Sequence, residues 1–216
     1  MDNIDFTNHN MKIEIKKSIK PVNYLKAINL LEKRLIKVNK NKSNELVWIL
    51  THPPTYTAGT SYKKNEILNK KIKIIKTTRG GKITWHGPGQ LVCYFVLDLK
   101  KRNKDIRILI KSIENTIIET LNNYKINSYS DRKNIGIWIN QNTDRKKVAA
   151  IGIKIKKWIA YHGFAINVNN RLEPYGKIIP CGINHNKITT LMKHKKQNYK
   201  NLQNMLLKNF IKNFGN

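Results

Sequence analysis

Two parts of this 216-residue chain carry residue types able to do covalent chemistry. The first is Cys181, set in Ile179-Pro180-Cys181-Gly182. Pro180 and Gly182 mark a turn, which holds a thiol in the open. Gly182 also lets backbone N–H groups face an oxyanion. A thiol of ordinary pKa, about 8.5, is only a few per cent ionised at pH 7, so a nucleophilic cysteine needs a cation or base beside it. Lys147, His162 and His86 are the candidates. Lys147 stands at the head of Val148-Ala149-Ala150-Ile151-Gly152, whose small side chains leave room beside that strand. Cys93, inside the apolar run Leu91 to Leu97, reads instead as a core residue.

The second part is Arg79 to Gln90, RGGKITWHGPGQ, which holds four of the 11 glycines. Such density permits close approach of a backbone to a ligand. No GxGxxG and no Gly-Lys-Ser/Thr accompany it, so it is neither a dinucleotide fingerprint nor a P-loop. His86 lies between its glycine turns, downstream of Arg79. The six histidines are scattered and no CxxC occurs, so no metal site is expected.

These residues need elements to position them. Residues 12–19 begin with strand-like alternation. After Pro21, Leu25, Ile28, Leu31, Leu35 and Val38 fall at helical spacing. Leu46 to Leu50 reads as a short strand stopped by His52-Pro53-Pro54. A loop is expected over 55–70 and a strand over 72–78. Gln90 to Leu99, nearly continuous in apolar residues, reads as a central strand. Ile106, Ile110, Ile113, Ile117 and Leu121 predict one face of a helix over 105–124. Three short strands follow, carrying Ile135 to Ile139, Ile151 to Ile155 and His162 to Val168, as an antiparallel meander. Leu202, Met205, Leu206, Phe210 and Phe214 predict a final helix. The result is an α/β (α+β) fold with a mixed, largely antiparallel sheet flanked by helices. Residues 1–11 read as a polar extension and 12–216 as one catalytic domain.

Composition excludes other classes. An apolar fraction of 40% rules out a wholly disordered chain. Two cysteines rule out a disulfide framework and suggest a reducing compartment. The longest apolar runs fall far short of the roughly 18 residues of a membrane span, and no signal-peptide pattern opens the chain. The net charge of +29 suits either a nucleic-acid binder or a solvated lysine surface that attracts acidic partners. Lysines are spread along the chain, and neither a zinc finger nor an aromatic RNP strand is present. Nucleic acid is therefore not the expected partner.

Taken together, RGGKITWHGPGQL, KVAAIGIKI, YHGFAINV and IIPCGI resemble the lipoyl(octanoyl) transferases, and LVWILTHPPTYTAGT resembles the same family's early strand and turn. The resemblance spans roughly residues 24–191. It implies a biotin/lipoate protein ligase-like catalytic domain working in the cytoplasm without a cofactor. It makes Cys181 the acyl-carrying nucleophile and Lys147 the partner of that thiol. It assigns the acyl pocket to Arg79, Gly80, Gly81, Lys82, Ile83, Thr84, Trp85 and His86, to Ala150, Ile151 and Gly152, and to Gly163, Phe164 and Ala165. Lys82 and Trp85 stand where the family more often has other residues. The implied reaction moves an octanoyl group from acyl carrier protein, through a cysteine thioester, to a lysine of lipoyl-dependent proteins. These are the lipoyl domains of 2-oxoacid dehydrogenases and the glycine cleavage H protein. RGG…HGPGQ is shared in weaker form with lipoate ligases, which activate the free acid with ATP and have no need of Cys181.

Overall fold

A computed structural model describes residues 13–215. The proposed N-terminal extension lies outside them. In chain order come β1 (Ile13–Lys17), α1 (Tyr24–Asn39), β2 (Glu45–Leu50), β3 (Thr55–Ala58), β4 (Ile74–Lys76), β5 (Ile83–His86) and β6 (Gln90–Asp98). Then follow α2 (Ile106–Asn122), β7 (Ser128–Ser130), β8 (Ile137–Gln141), β9 (Asp144–Lys156), β10 (Ile159–Asn167), α3 (Leu191–His194) and α4 (Leu202–Phe214). Seven strands form one sheet in the order β1-β2-β6-β10-β9-β8-β7, antiparallel except for β1 with β2. A small sheet, β4-β3-β5, stands apart from it.

The continuous apolar run of β6 has a direct cause: both of its faces are covered. Cys93, Phe95 and Leu97 pack with Ile113, Ile117 and Leu121 of α2 and with Leu206 and Phe210 of α4. The alternate residues Val92, Tyr94 and Val96 pack with Ala27, Leu31 and Leu35 of α1. Period-two alternation thus sends every second side chain to a different helix layer.

Helix faces differ in detail from the sequence expectation. The buried stripe of α1 is Tyr24, Ala27, Leu31, Leu35 and Val38, while Leu25 is exposed and Ile28 only partly covered. Tyr24 takes the inward position in the first turn because its ring stacks on His86. In α2, Ile106 is exposed, whereas Thr116 and Thr120 are wholly buried. Their hydroxyls donate to the carbonyls of Ser112 and Thr116, one turn back, which removes the cost of burying them.

The loop expected over 55–70 contains β3, formed by the β-branched and aromatic run Thr55-Tyr56-Thr57 pairing with β5. The meander β8-β9-β10 is present, yet β9 is 13 residues long, and Ile135 is exposed ahead of β8. The edge strand β7 was not anticipated. Among the described residues no helix is long and apolar enough to cross a membrane.

Candidate active site

Between β9, β10, the small sheet and the Cys181 turn lies a cavity of about 530 Å³, within the usual size of small-molecule sites. β9 contributes Lys147, Ala149, Ala150, Ile151 and Gly152, and β10 contributes Gly163, Phe164 and Ala165. The glycine-rich loop and β5 add Arg79, Gly80, Gly81, Lys82, Thr84 and His86. Ile83 and Trp85 do not line it. Alternation along β5 turns both toward a separate cluster with Tyr175, Ile178 and Ile188. Cys181 closes one side. Among the described residues no Asp or Glu lines the cavity, although Arg79, Lys82, Lys133 and Lys147 all do. Among the described residues only Lys82 of these is in an ion pair, 2.9 Å from Glu66.

Local backbone bonding explains how Cys181 and Lys147, distant in sequence, come to one cavity. Lys147 pairs strand-like with Ile188, and Thr189 N–H donates to the Lys147 carbonyl at 3.0 Å. That pins the segment following Cys181 onto β9. Upstream, Ile178 pairs with Ile67, and Ile179 N–H donates to Glu66 O at 2.8 Å. Cys181 itself is a non-glycine residue with φ 55° and ψ 18°, a left-handed conformation that costs of order 1 kcal/mol and persists because both flanks are anchored. The thiol is half-buried. The Gly182 N–H, expected to face an oxyanion, is turned back onto Ile179 O at 3.3 Å, so the turn consumes that donor. Cys93 is sealed in the core, and burial pushes its thiol up.

Lys147 is 4% exposed, with its ammonium nitrogen 5.4 Å from the centre of the Trp138 ring. Its side chain passes over Gly136, at φ +138°, where a Cβ would run into the lysine Cε and the Ala149 carbonyl. Gly136→Ala is therefore expected to displace the amine and slow acyl transfer about 100-fold, in line with the cost of misplacing a reacting group by an ångström. Initial rates and thermal unfolding measured together test this. An unchanged rate on a folded variant means that Gly136 does not hold Lys147.

Arg79 ties the two sheets together. Its Nη2 donates to the Thr57 carbonyl at 3.0 Å and the Thr57 hydroxyl at 2.8 Å, and Nη1 donates to Gly80 O at 3.0 Å. Gly80 N–H reaches Ile153 O on β9 at 2.9 Å. A Cβ at Gly59 would run into the Gly81 backbone carbonyl and lie 2.7 Å from Arg79 Nη1, so that glycine is required for the loop and the guanidinium to fit.

The other two candidate partners of the thiol are unsuited to be cations. His86 sits in a nest of buried rings with Tyr24, His52 and Tyr94. Burial first, then the neighbouring His52, lower its pKa to about 3. His162 is 1% exposed, stacks on Tyr161 and, among the described residues, has neither ring nitrogen bonded. Burial, reinforced by Arg79, lowers it to about 3. Both imidazoles are neutral at pH 7, so neither supplies a cation beside the thiol.

Sequence reasoning missed a polar chain behind the cavity. His86 Nδ1 meets Gln90 Oε1 at 2.7 Å, and Gln90 Nε2 donates to Asn167 Oδ1 at 2.9 Å and to Tyr175 Oη at 3.1 Å. Burial, with a smaller contribution from the neighbouring Cys181, raises the Tyr175 phenol. Gln90 had a signal, four residues after His86 on the far side of a Gly-Pro-Gly turn. Tyr175 had none.

Comparison with known proteins bears on this geometry. Residues 23–211 match the family described as lipoyl protein ligase A/B catalytic domain. The chain is 43% identical over 195 residues to an octanoyltransferase of Wolbachia sp. subsp. Brugia malayi (strain TRS), covering 89% of this chain and 95% of that one. It is 41% identical over 207 residues to an octanoyltransferase of Anaplasma phagocytophilum (strain HZ), covering 94% and 100%. Among solved structures it resembles a lipoate-protein ligase A bound with ATP, with TM-score 0.70, 14% identity and coverage of 94% of this chain and 86% of that one. It also resembles a bipartite lipoate protein ligase from Thermoplasma acidophilum, studied with its E2 lipoyl domain. There the TM-score is 0.69 at 12% identity, over 95% and 84% of the two chains. At such identities these two structures show a shared fold and no more.

Proposed function

Given that the chain belongs to the lipoyl protein ligase A/B catalytic-domain family and is an acyltransferase acting in octanoyl or lipoyl transfer, we propose that it carries the acyl group on Cys181. The donor in this reading is octanoyl-acyl carrier protein. The acceptor is a lysine of lipoyl domains and of the glycine cleavage H protein. The observation that carries the reading is that Cys181 and the buried, acid-free Lys147 line one cavity walled by small residues.

The protons balance without any outside base beyond solvent. Lys147 as an ammonium favours the Cys181 thiolate. The sulfur attacks the thioester carbonyl, a C–S bond forms, and the C–S bond to the donor breaks. The departing thiolate takes the Lys147 proton. The neutral acceptor amine, its ammonium proton already lost to solvent, then attacks the acyl-enzyme. Its remaining surplus proton passes to the Lys147 amine, and Cys181 leaves as thiolate. Thioester exchange is nearly balanced in energy, and amide formation runs downhill. About six methylenes of an octanoyl chain, buried against Ala149, Gly163 and Ala165, contribute about 5 kcal/mol of binding.

The net charge of +29 favours encounter with acidic donor and acceptor domains. Two unpaired cysteines fit a reducing compartment, and we assign the enzyme to the cytoplasm on that ground.

Intact-mass spectrometry after incubation with octanoyl-acyl carrier protein tests the reading. The wild type is expected to gain one octanoyl group and lose it on addition of a lipoyl domain. Cys181→Ala is expected to gain none. A Cys181→Ala variant that still modifies lipoyl domains from free octanoate and ATP would make the protein a ligase.

A further inference from the structure

His86 lines the cavity, yet the transfer cycle just described gives it no role. Its tautomer is legible from one atom whose bonding sense is fixed. The Trp85 backbone carbonyl, which only accepts, lies 3.5 Å from the amide nitrogen of Gln90 and 3.3 Å from Tyr175 Oη. Turning the Gln90 amide over would set two carbonyl oxygens against each other there. The nitrogen therefore stays on that side, where Asn167 Oδ1 and Tyr175 Oη take its two hydrogens and the Tyr175 hydroxyl donates to the Trp85 carbonyl. That leaves Gln90 Oε1, an acceptor, facing His86 Nδ1 at 2.7 Å. Nδ1 must carry the ring's hydrogen. The other nitrogen, Nε2, holds a lone pair. The neighbouring His52 does not compete for it, since its own nitrogens are engaged by Val22 O at 2.6 Å and Tyr94 Oη at 2.8 Å.

The cavity contains a neutral acceptor among cations and no carboxylate among the described residues. An ammonium group entering it after acylation meets Arg79, which among the described residues is in no ion pair, and so is disfavoured until it sheds a proton. A neutral primary amine attacking a thioester directs its lone pair at carbon and presents two N–H donors. Lys147 takes one. We propose that His86 Nε2 accepts a hydrogen bond from the other and so orients the attacking lysine, with Gln90 as the positioning residue that holds His86 in the Nδ1–H tautomer. This rests on the acyl-enzyme reading above and adds to it a group specific to the second half-reaction. No proton moves to His86; it aims the amine, and Lys147 removes the proton.

The two half-reactions separate in the experiment. Acyl-enzyme formation from octanoyl-acyl carrier protein is followed by intact mass, and discharge of isolated acyl-enzyme by a lipoyl domain is followed in single turnover. An N–H left unpaired in a closed site costs enough to slow a step by about 10- to 100-fold. His86→Asn, which lacks a group at the Nε2 position, is expected to slow discharge about 10- to 100-fold more than it slows acylation. His86→Gln, which returns an acceptor near that position, is expected to recover most of the difference. Thermal unfolding of both variants checks that the ring nest survives. Nitrogen-15 spectra of the wild type at pH 7 are expected to show His86 as the neutral Nδ1–H form, and Gln90→Leu is expected to lose that preference and slow discharge selectively. Equal slowing of both half-reactions, no slowing of either, or an Nε2–H tautomer in the wild type would overturn the proposal. Should no acyl-enzyme form at all, the parent reading fails with it. Should it form and discharge unselectively in His86→Asn, only this proposal fails.

Discussion

Lys147→Met is expected to lower acyl transfer by about 10³ while leaving the protein as stable as the wild type or more so. Two losses combine in the rate. Without the ammonium the thiolate loses the cation that favours it. Without the amine nothing positioned takes the proton of the attacking lysine, a contribution of about 10² to 10⁴. The slower half-reaction sets the overall figure. Stability moves the other way. Lys147 is 4% exposed and, among the described residues, makes no ion pair. Methionine keeps all but the last atom of the side chain against Trp138 and removes a desolvated polar head, a replacement that is commonly neutral or stabilising. Urea midpoints and single-turnover rates on the same preparation decide the matter. A folded Lys147→Met that retains activity within tenfold of wild type removes Lys147 from the mechanism, and a variant that unfolds shows that the lysine serves the fold instead.

The opposed signs of those two effects depend on burial, which the amino-acid sequence discloses only in part. Cys181 and Lys147 are both marked by their neighbours: a proline and a glycine around the thiol, small residues after the lysine. The long-range pairing of Lys147 with Ile188, which brings the two segments together, leaves no such mark. Nor does the sequence distinguish Lys147, one of 42 basic residues, as buried while most of the others are solvated. Strand order follows the same pattern. The nine buried residues of β6 announce a central strand, because covering on both faces leaves an unbroken apolar run. The short β3 and β7 carry too few residues to show a period, and their existence depends on partners. In β5, Thr84 and His86 face the cavity while Ile83 and Trp85 do not. Alternation alone divides that strand once the small sheet is known to exist. The Gly182 N–H goes to the turn and not to an oxyanion because a three-residue helical turn consumes its own donors.

Three buried imidazoles, of which His86 lines the cavity and His52 and His162 do not, set how the protein responds to acid. His52, His86 and His162 have pKa values of about 4, 3 and 3, each lowered chiefly by burial. In the unfolded chain each returns to about 6.5. Between those values the unfolded state binds protons that the folded state refuses, so stability rises with pH through this window and falls as pH drops through it. Well above pH 6.5 the three histidines are neutral in both states and contribute no slope. From pH 7.5 to 5.5 each costs about 1.4 kcal/mol, and the three together about 4 kcal/mol, a large share of a typical folding free energy. Urea unfolding at the two pH values is expected to show that loss, with the slope from these rings near zero above about pH 7.5. His162→Phe sharpens the test, because a phenyl ring keeps the stack on Tyr161 and leaves no unbonded nitrogens. It is expected to remove about a third of the acid loss and to raise stability at pH 5.5 more than at pH 7.5. A stability curve flat from pH 7.5 to 5.5 would mean that these rings take up protons in the folded state, and that the nest beneath the cavity opens to water.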